Sequence, residues 1–202
     1  MSTPHAPARW WFFDLDGTLI DSSAGILDSL RFALHGIGAP EPGEAMLRGW
    51  IGPPLRRSFG NYLGNADPQR IETAVALYLQ HMEASGWRRF HVYDGAAEML
   101  QALIDGGARL CVVTAKIESF ARRILATQAF GALFSDIVGA TADGRLALKT
   151  DLVAEALRRT GADPAFATMV GDRDLDMAGA VDHGLTGVGV LWGFGSADEL
   201  RA

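Results

Sequence analysis

The stretch WWFFDLDGTLID spans residues 10–21 and joins four consecutive aromatic side chains to two carboxylates. Aromatic residues are favoured in strands, and a short run that is apolar at every position is typical of a strand covered on both faces. The run ends at Asp14 and Asp16, and Gly17 follows them. Positions 14 and 16 of an extended strand point the same way, so an immediate turn at Gly17 is needed if they are to divide one task. The stretch therefore predicts a buried strand (residues 9–16) with a polar site at its carboxyl end.

Four more apolar runs predict the other strands of a sheet, at residues 108–115, 134–140, 166–172 and 186–192. Two segments between these runs, residues 94–107 and 149–161, have apolar positions at helical spacing and end in glycine. Strands that alternate with helices predict an α/β protein with a doubly wound parallel sheet.

The connection from the first strand to the second is too long for a simple crossover. It covers about 90 residues, whereas a βαβ unit needs only a few tens. Its content is helical: residues 22–36 begin with a serine that can cap a helix, and residues 67–86 begin with Asp67 as cap and Pro68 at the first helical position. The pattern predicts a helical cap domain inserted at residues 20–92 in a core domain formed by residues 1–19 and 93–202.

The composition is that of an ordinary globular protein and disfavours several classes of partner. Its net charge is −6, and binding to nucleic acid or to an anionic membrane relies on clustered Lys and Arg, so neither partner is expected. The opening residues lack the apolar stretch of a signal peptide, which predicts a cytoplasmic location. Cys111, the one cysteine, excludes an internal disulfide and is predicted to be a buried core residue.

Reactive side chains follow the predicted strands at their carboxyl ends, where open parallel sheets bind ligands. They are Asp14 and Asp16 after the first strand, Thr114 after the second, Lys149 at the start of the helix before the fourth, and Asp172, Asp174 and Asp176 after the fourth. Two carboxylates about 4 Å apart repel each other by roughly 4 kcal/mol at an effective dielectric of about 20, so such a group needs a cation. Ligands that are all oxygen atoms favour Mg²⁺, which commonly shares its coordination with a phosphate.

Two neighbouring carboxylates can divide the work of displacement at phosphorus. One can attack to give an aspartyl-phosphate, and the other can protonate the leaving alkoxide and later accept a proton from water. Thr114 and Lys149 would hold the phosphoryl oxygens, together with backbone N–H groups at the turns.

Four segments resemble the motifs of the haloacid dehalogenase superfamily, in the same order and across residues 9–193. They are DLDGT after the first strand, Thr114 in VVTAK, Lys149, and GDRDLD after the fourth strand. The resemblance implies Asp14 as the nucleophile, Asp16 as the general acid and base, and Thr114, Ala115 and Lys149 as the phosphate-binding residues. It also implies Mg²⁺ held by Asp14, by the backbone carbonyl of Asp16 and by Asp172, with Asp176 supporting these ligands from behind.

The position of the insertion is similar to that of the helical cap in the phosphoglycolate phosphatase branch. The segment GWIGPPLRRSF, residues 49–59, resembles the cap of members named phosphoglycolate phosphatases or 5'-nucleotidases, and Arg56 in it is predicted to contact an anionic substrate. The dehalogenase branch fits poorly because its members lack the second aspartate, here Asp16. The resemblance therefore implies a Mg²⁺-dependent phosphatase with a mobile cap, acting on a small phosphorylated metabolite as a monomer or homodimer, most similar to phosphoglycolate phosphatase.

Other functions stay open at this point. A 5'-nucleotidase-like activity and a phosphomutase would use the same residues, and an inactive binding protein could retain the scaffold. A phospho-aspartate signalling module also gathers acidic residues, a Thr and a Lys, although the long insertion and the spacing of Asp14 and Asp16 argue against it. Asp174 does not match the spacing of the motif and is predicted to be solvated or to cap a helix.

Overall fold

The computed structural model describes residues 9–64 and 67–201 of the chain. Residues 1–8 lie outside this range. They include the segment on which the predicted absence of a signal peptide rests and the first residues of the predicted core domain. The strands are β1 (Trp10–Phe13), β2 (Ile20–Asp21), β3 (His91–Val92), β4 (Arg109–Ile117), β5 (Phe134–Ala140), β6 (Ala167–Gly171) and β7 (Thr186–Gly189).

Five of these strands form a parallel sheet in the order β5–β4–β1–β6–β7. All five predicted strands are present, and the predicted α/β class with a doubly wound sheet is confirmed. β1 lies at the centre of the sheet, where Phe12 pairs with Cys111 of β4 and with Met169 of β6. Cys111 is fully buried, as predicted.

The helices are α1 (Ser23–Gly36), α2 (Glu44–Arg48), α3 (Leu55–Leu63), α4 (Pro68–Ala84), α5 (Ala96–Asp105), α6 (Glu118–Ala126), α7 (Lys149–Thr160), α8 (Asp174–Asp182) and α9 (Ala197–Arg201). Short 3-10 turns cover Gly86–Arg88, Ala129–Leu133 and Pro164–Phe166. The position of Asp67 as cap of α4 agrees with prediction, because its carboxylate accepts a hydrogen bond from the Gln69 N–H at 2.9 Å.

Helices on both faces of the sheet explain why the opening run is aromatic at every position. Phe13 packs into an apolar cluster with side chains of α5 and α6, whereas Trp10 and Phe12 pack on the other face with side chains of α7 and α8. Because successive side chains of a strand alternate between faces, neither face of β1 has room for a polar residue. Full burial of each phenylalanine ring stabilises the fold by roughly 1.5–3 kcal/mol.

Helices α1 to α4, which we call the cap helices, lie between β2 and β3 in the chain. These two strands pair antiparallel, Ile20 with Val92, and form a separate two-stranded sheet, so the segment of cap helices begins and ends at one place. The cap helices have an apolar cluster of their own, which Phe120 of α6 joins. The predicted boundaries at residues 20 and 92 fall on β2 and β3, while the division into a core and a cap domain stays a prediction.

Candidate active site

Three buried carboxylates converge at the carboxyl end of the sheet. Asp14 follows β1, Asp172 follows β6, and Asp176 lies in the first turn of α8. One oxygen atom of each lies within 4.8 Å of the other two. These residues are far apart in the chain, and the parallel pairing of β1 with β6 brings them together in space. At the end of this pairing the Asp14 N–H donates to the Val170 carbonyl at 2.9 Å.

Lys149, at the start of α7, reaches into this cluster. Its Nζ lies 3.0 Å from Asp14 Oδ1 and 2.8 Å from Asp176 Oδ1, and it donates a hydrogen bond to the Val113 carbonyl at 3.0 Å. Burial alone would lower the pKa of Lys149, but the two carboxylates outweigh burial and raise that pKa above its usual range. Lys149 is therefore a buried, charged ammonium group shared by two carboxylates.

One ammonium group cannot neutralise every carboxylate of the cluster. Burial raises the pKa of Asp14 to about 7, although Lys149 opposes this shift. Burial also raises the pKa of Asp172 to about 6, against the hydrogen bond that it accepts from the Phe194 N–H. Both shifts have the same physical cause, which is the cost of holding negative charge away from water.

Asp16 is held by different partners from those of Asp14. Lys116 Nζ lies 2.9 Å from both carboxylate oxygens of Asp16, and the Ser22 hydroxyl donates to Asp16 Oδ1. Ser22 occupies the cap position of α1, but its side chain makes no hydrogen bond to the helix, so the predicted capping by serine is replaced by a contact with Asp16. The two aspartates of the opening motif thus have separate ammonium partners.

The turn that separates the two aspartates depends on Gly17. Its φ is +90°, a value that L side chains rarely adopt, and a Cβ at this position would lie 2.3 Å from Asp172 Oδ2. Next to it, the Thr18 hydroxyl donates to Asp172 Oδ1 at 3.2 Å, and the Phe194 N–H donates to Asp172 Oδ2 at 2.7 Å. The site therefore fixes Asp172 from both sides.

Thr114 and Ala115 lie where predicted, near the end of β4, and both line a cavity above the aspartates. The Thr114 side chain is buried, and its hydroxyl accepts a hydrogen bond from the Lys116 N–H at 3.2 Å. Lys116 belongs to the same VVTAK segment but was not predicted as a site residue. A lysine directly after the predicted apolar run 108–115, at the end of the sheet where the aspartates collect, was the available signal.

Arg56 lies on the wall of the same cavity, but its guanidinium group has partners within the protein. Its Nε and Nη2 lie 2.6 Å and 2.8 Å from the two carboxylate oxygens of Glu72, and Nη1 donates to the Ala142 carbonyl at 3.2 Å. Its predicted contact with an anionic substrate stays a prediction.

Asp174 is exposed at the first residue of α8, as expected for a solvated residue, although the cap position itself belongs to Arg173.

The chemistry of this cluster fits a divalent cation. Among the described residues, the four carboxylates of Asp14, Asp16, Asp172 and Asp176 face two ammonium groups, so two negative charges are not balanced by lysine. The buried Oδ1 atoms of Asp14 and Asp176 share one ammonium group, because Lys149 Nζ lies 3.0 Å and 2.8 Å from them. All available ligand atoms are oxygens, which suits Mg²⁺. The Asp176 carboxylate lies as close to the others as a ligand would, whereas the sequence predicted a supporting position for it.

Comparison with known proteins agrees with this geometry. The sequence model of the haloacid dehalogenase-like hydrolases matches residues 11–190. The chain belongs to this family. It is 41% identical over 190 residues to a 5'-nucleotidase of Pseudomonas aeruginosa, with 94% of this chain and 86% of that protein covered. It is 40% identical over 202 residues to the tyrosine-protein kinase PtkA of Mycobacterium tuberculosis, with 98% and 67% covered.

A solved structure gives the same result. The crystal structure of a predicted phosphatase from Clostridium acetobutylicum superimposes with a TM-score of 0.92 at 35% identity, with 97% of this chain and 90% of that chain covered. The predicted family is confirmed, and so is the predicted enzyme class, a phosphatase of the haloacid dehalogenase-like hydrolases.

Proposed function

We propose that this protein is a Mg²⁺-dependent phosphatase that hydrolyses small phosphate monoesters through an aspartyl-phosphate on Asp14. One observation carries the proposal: Asp14 and Asp16 line the same cavity, and each is held by its own buried lysine. Two carboxylates with different partners can take different roles, one as nucleophile and the other as acid and base.

The residues that would hold the ion are Asp14, Asp172 and the backbone carbonyl of Asp16, with Asp176 beside them. When bound, Mg²⁺ supplies positive charge that reduces repulsion between the substrate and the carboxylates. Lys149 and Thr114 orient the phosphoryl group so that an Asp14 oxygen forms a bond to phosphorus as the bond to the alcohol oxygen breaks. The Asp16 carboxyl donates its proton to the leaving alkoxide. Asp16 then accepts a proton from the water that attacks the aspartyl-phosphate, which releases phosphate and regenerates Asp14.

Lys116 holds Asp16 in place within the cavity. Its ammonium group donates to both oxygens of Asp16 at 2.9 Å. Lys116 also lines the cavity, so a phosphate dianion bound there would compete with Asp16 for the same ammonium group.

The cap helices cover the cavity and control access to it. The Arg173 guanidinium donates to the Ile51 carbonyl, and Arg56 of α3 donates to the Ala142 carbonyl in the loop after β5. These contacts join the cap helices to the sheet side of the cavity. Their release and return would open and close the site, so that bulk water is excluded while the aspartyl-phosphate forms.

A phosphoglycolate phosphatase-like activity is the first prediction from the sequence, with a 5'-nucleotidase-like activity and a phosphomutase as the enzyme alternatives. The relatives favour hydrolysis, although one of them is named a kinase.

No helix within residues 9–64 and 67–201 combines the length and apolar character needed to cross a bilayer. A cytoplasmic location, a monomer or homodimer, and the lack of nucleic-acid and membrane partners remain part of the proposal.

The test is release of inorganic phosphate from p-nitrophenyl phosphate and a panel of monoesters, with Mg²⁺ and with EDTA. Asp14→Asn should lower the rate at least about 10³-fold, because the amide is a far weaker nucleophile. Asp174→Asn is the matched control, because it makes the same chemical change at an exposed aspartate of α8 and should leave the rate unchanged.

Each rival function gives a different result. A phosphomutase would transfer the phosphoryl group to a second hydroxyl and release little free phosphate. A signalling module would keep a phosphorylated form for minutes after treatment with acetyl phosphate. Unchanged hydrolysis by Asp14→Asn would refute the proposed nucleophile.

A further inference from the structure

The cavity above Asp14 and Asp16 has an apolar roof. Helix α4 presents to it Val75, Tyr78, Leu79 and Met82, which are spaced so that they share one helical face. Helix α1 adds Ile26 and Leu30, and α6 adds Phe120. Side chains at the sheet end, among them Asp14, Asp16, Thr114 and Lys116, form the polar floor. A phosphoryl group at the floor would therefore direct the alcohol part of its ester toward apolar surface.

The positive charges around this cavity are mostly occupied. Lys116 pairs with Asp16, Arg56 with Glu72, and Arg145 with Asp143 at 2.5 Å. Arg57 is exposed and also lines a second crevice, so it lies at the mouth of the cavity, where water screens its charge. A carboxylate on the alcohol part that entered the interior would lie away from Arg57 and among cations that already have carboxylate partners, and burial of an unpaired charge is strongly unfavourable.

The size of the cavity points the same way. Its volume is about 400 Å³, which is within the range of pockets that enclose ligands the size of a drug molecule. The two-carbon acid of phosphoglycolate would leave most of this volume to water against apolar walls. A flat ring would fill the space and displace that water.

We propose, on the basis of the function proposed above, that the preferred substrates are monoesters whose alcohol carries an apolar ring, in preference to phosphoglycolate. The ring lies under α4, between Leu79 and the side chains of α1. Tyr78, which lines the same roof, offers one neutral hydroxyl group to the alcohol part.

The experiment compares kcat/KM for 2-phenylethyl phosphate, ethyl phosphate and phosphoglycolate with the full chain and Mg²⁺. The first two esters release primary alkoxides, so the ring adds binding with little change in leaving-group chemistry. We expect 2-phenylethyl phosphate to exceed both others by at least about tenfold, because burial of a phenyl ring is worth at least about 1.4 kcal/mol. Equal values for 2-phenylethyl and ethyl phosphate would overturn the inference.

A pair of variants tests the roof directly. Leu79→Arg places a cation on the cavity wall, and Ala76→Arg places the same cation on an exposed position of the same helix. Leu79→Arg should lower kcat/KM for 2-phenylethyl phosphate at least about tenfold and raise it for phosphoglycolate. Ala76→Arg should change neither value. If Leu79→Arg fails to fold, the comparison of the three esters with the unaltered protein still decides the question.

Failure of the inference differs from failure of the proposed function. If phosphoglycolate is the best of the three esters and Arg57→Ala abolishes its hydrolysis, then Arg57 at the mouth of the cavity selects an anionic alcohol part. That result would overturn this inference but not the proposed function. No phosphate from any ester, including p-nitrophenyl phosphate, would overturn the proposed function as well.

Discussion

Lys116→Met removes the ammonium group that holds Asp16 while keeping most of the side-chain volume. Both side chains are almost fully buried, at 5% and 11% exposure, and their charged atoms are 2.9 Å apart. At an effective dielectric of about 20 this separation corresponds to an attraction of about 6 kcal/mol. Loss of one partner of a buried pair commonly costs about 3–5 kcal/mol, because the other charge stays buried without compensation.

Proton uptake sets an upper limit to this cost. A carboxyl group left without its cation can become neutral, which costs about 4 kcal/mol at pH 7 and about 1.5 kcal/mol at pH 5, given the ordinary aspartate pKa near 3.9. We therefore expect Lys116→Met to lower the free energy of unfolding by about 3–4 kcal/mol at pH 7 and by no more than about 1.5 kcal/mol at pH 5.

The assay is urea unfolding of the metal-free protein in EDTA at the two pH values. The double variant Lys116→Met with Asp16→Asn is the control, because it removes both charges and should be close to the unaltered protein at both pH values. An equal loss of stability at pH 5 and pH 7 would show that Lys116 contributes by packing alone, and the reasoning about the ion pair would be wrong.

Two further predictions concern the carboxylate cluster. Because the pKa values of Asp14 and Asp172 are raised to about 7 and about 6, the folded metal-free protein binds more protons than the unfolded chain between about pH 4 and 7. Its free energy of unfolding should then fall by roughly 3–4 kcal/mol between pH 5 and pH 8, and Mg²⁺ should restore much of that loss at pH 8. Urea unfolding with Mg²⁺ and with EDTA measures both effects. A free energy of unfolding that rises with pH in EDTA would contradict the predicted sign. Gly17→Ala should destabilise the protein by about 2–4 kcal/mol and weaken Mg²⁺ binding measured by calorimetry, because the added Cβ meets Asp172. Gly38→Ala is the control: it has φ +62° with nothing within 4 Å among the described residues, so it should cost only about 1 kcal/mol. Equal losses of stability in the two variants would exclude the contact with Asp172 as the cause.

Local patterns were sufficient for the strands, the fold class and the positions of the site residues. An apolar run followed by a carboxylate is a local signal, because burial on both faces requires every side chain of the strand to be apolar. Such signals located the five strands of the sheet, and they located Asp14, Asp16 and Thr114 at strand ends, Asp172 and Asp176 after the fourth strand, and Lys149 at the start of a helix. The two-residue strands β2 and β3 escaped prediction, since two residues are too short to show any period.

The partners of these residues depended on the tertiary structure. Lys116 is 100 residues from Asp16 in the chain, and only the pairing of β1 with β4 brings their side chains together. The engagement of Arg56 by Glu72 likewise depends on the packing of α3 against α4, which no local pattern encodes. Sequence alone determined where the buried strands end and which aspartates follow them, because a strand buried on both faces is apolar at every position. The tertiary structure decided which charges neutralise each other and which surface faces the substrate, because electrostatic interaction depends on distances in space rather than on separation along the chain.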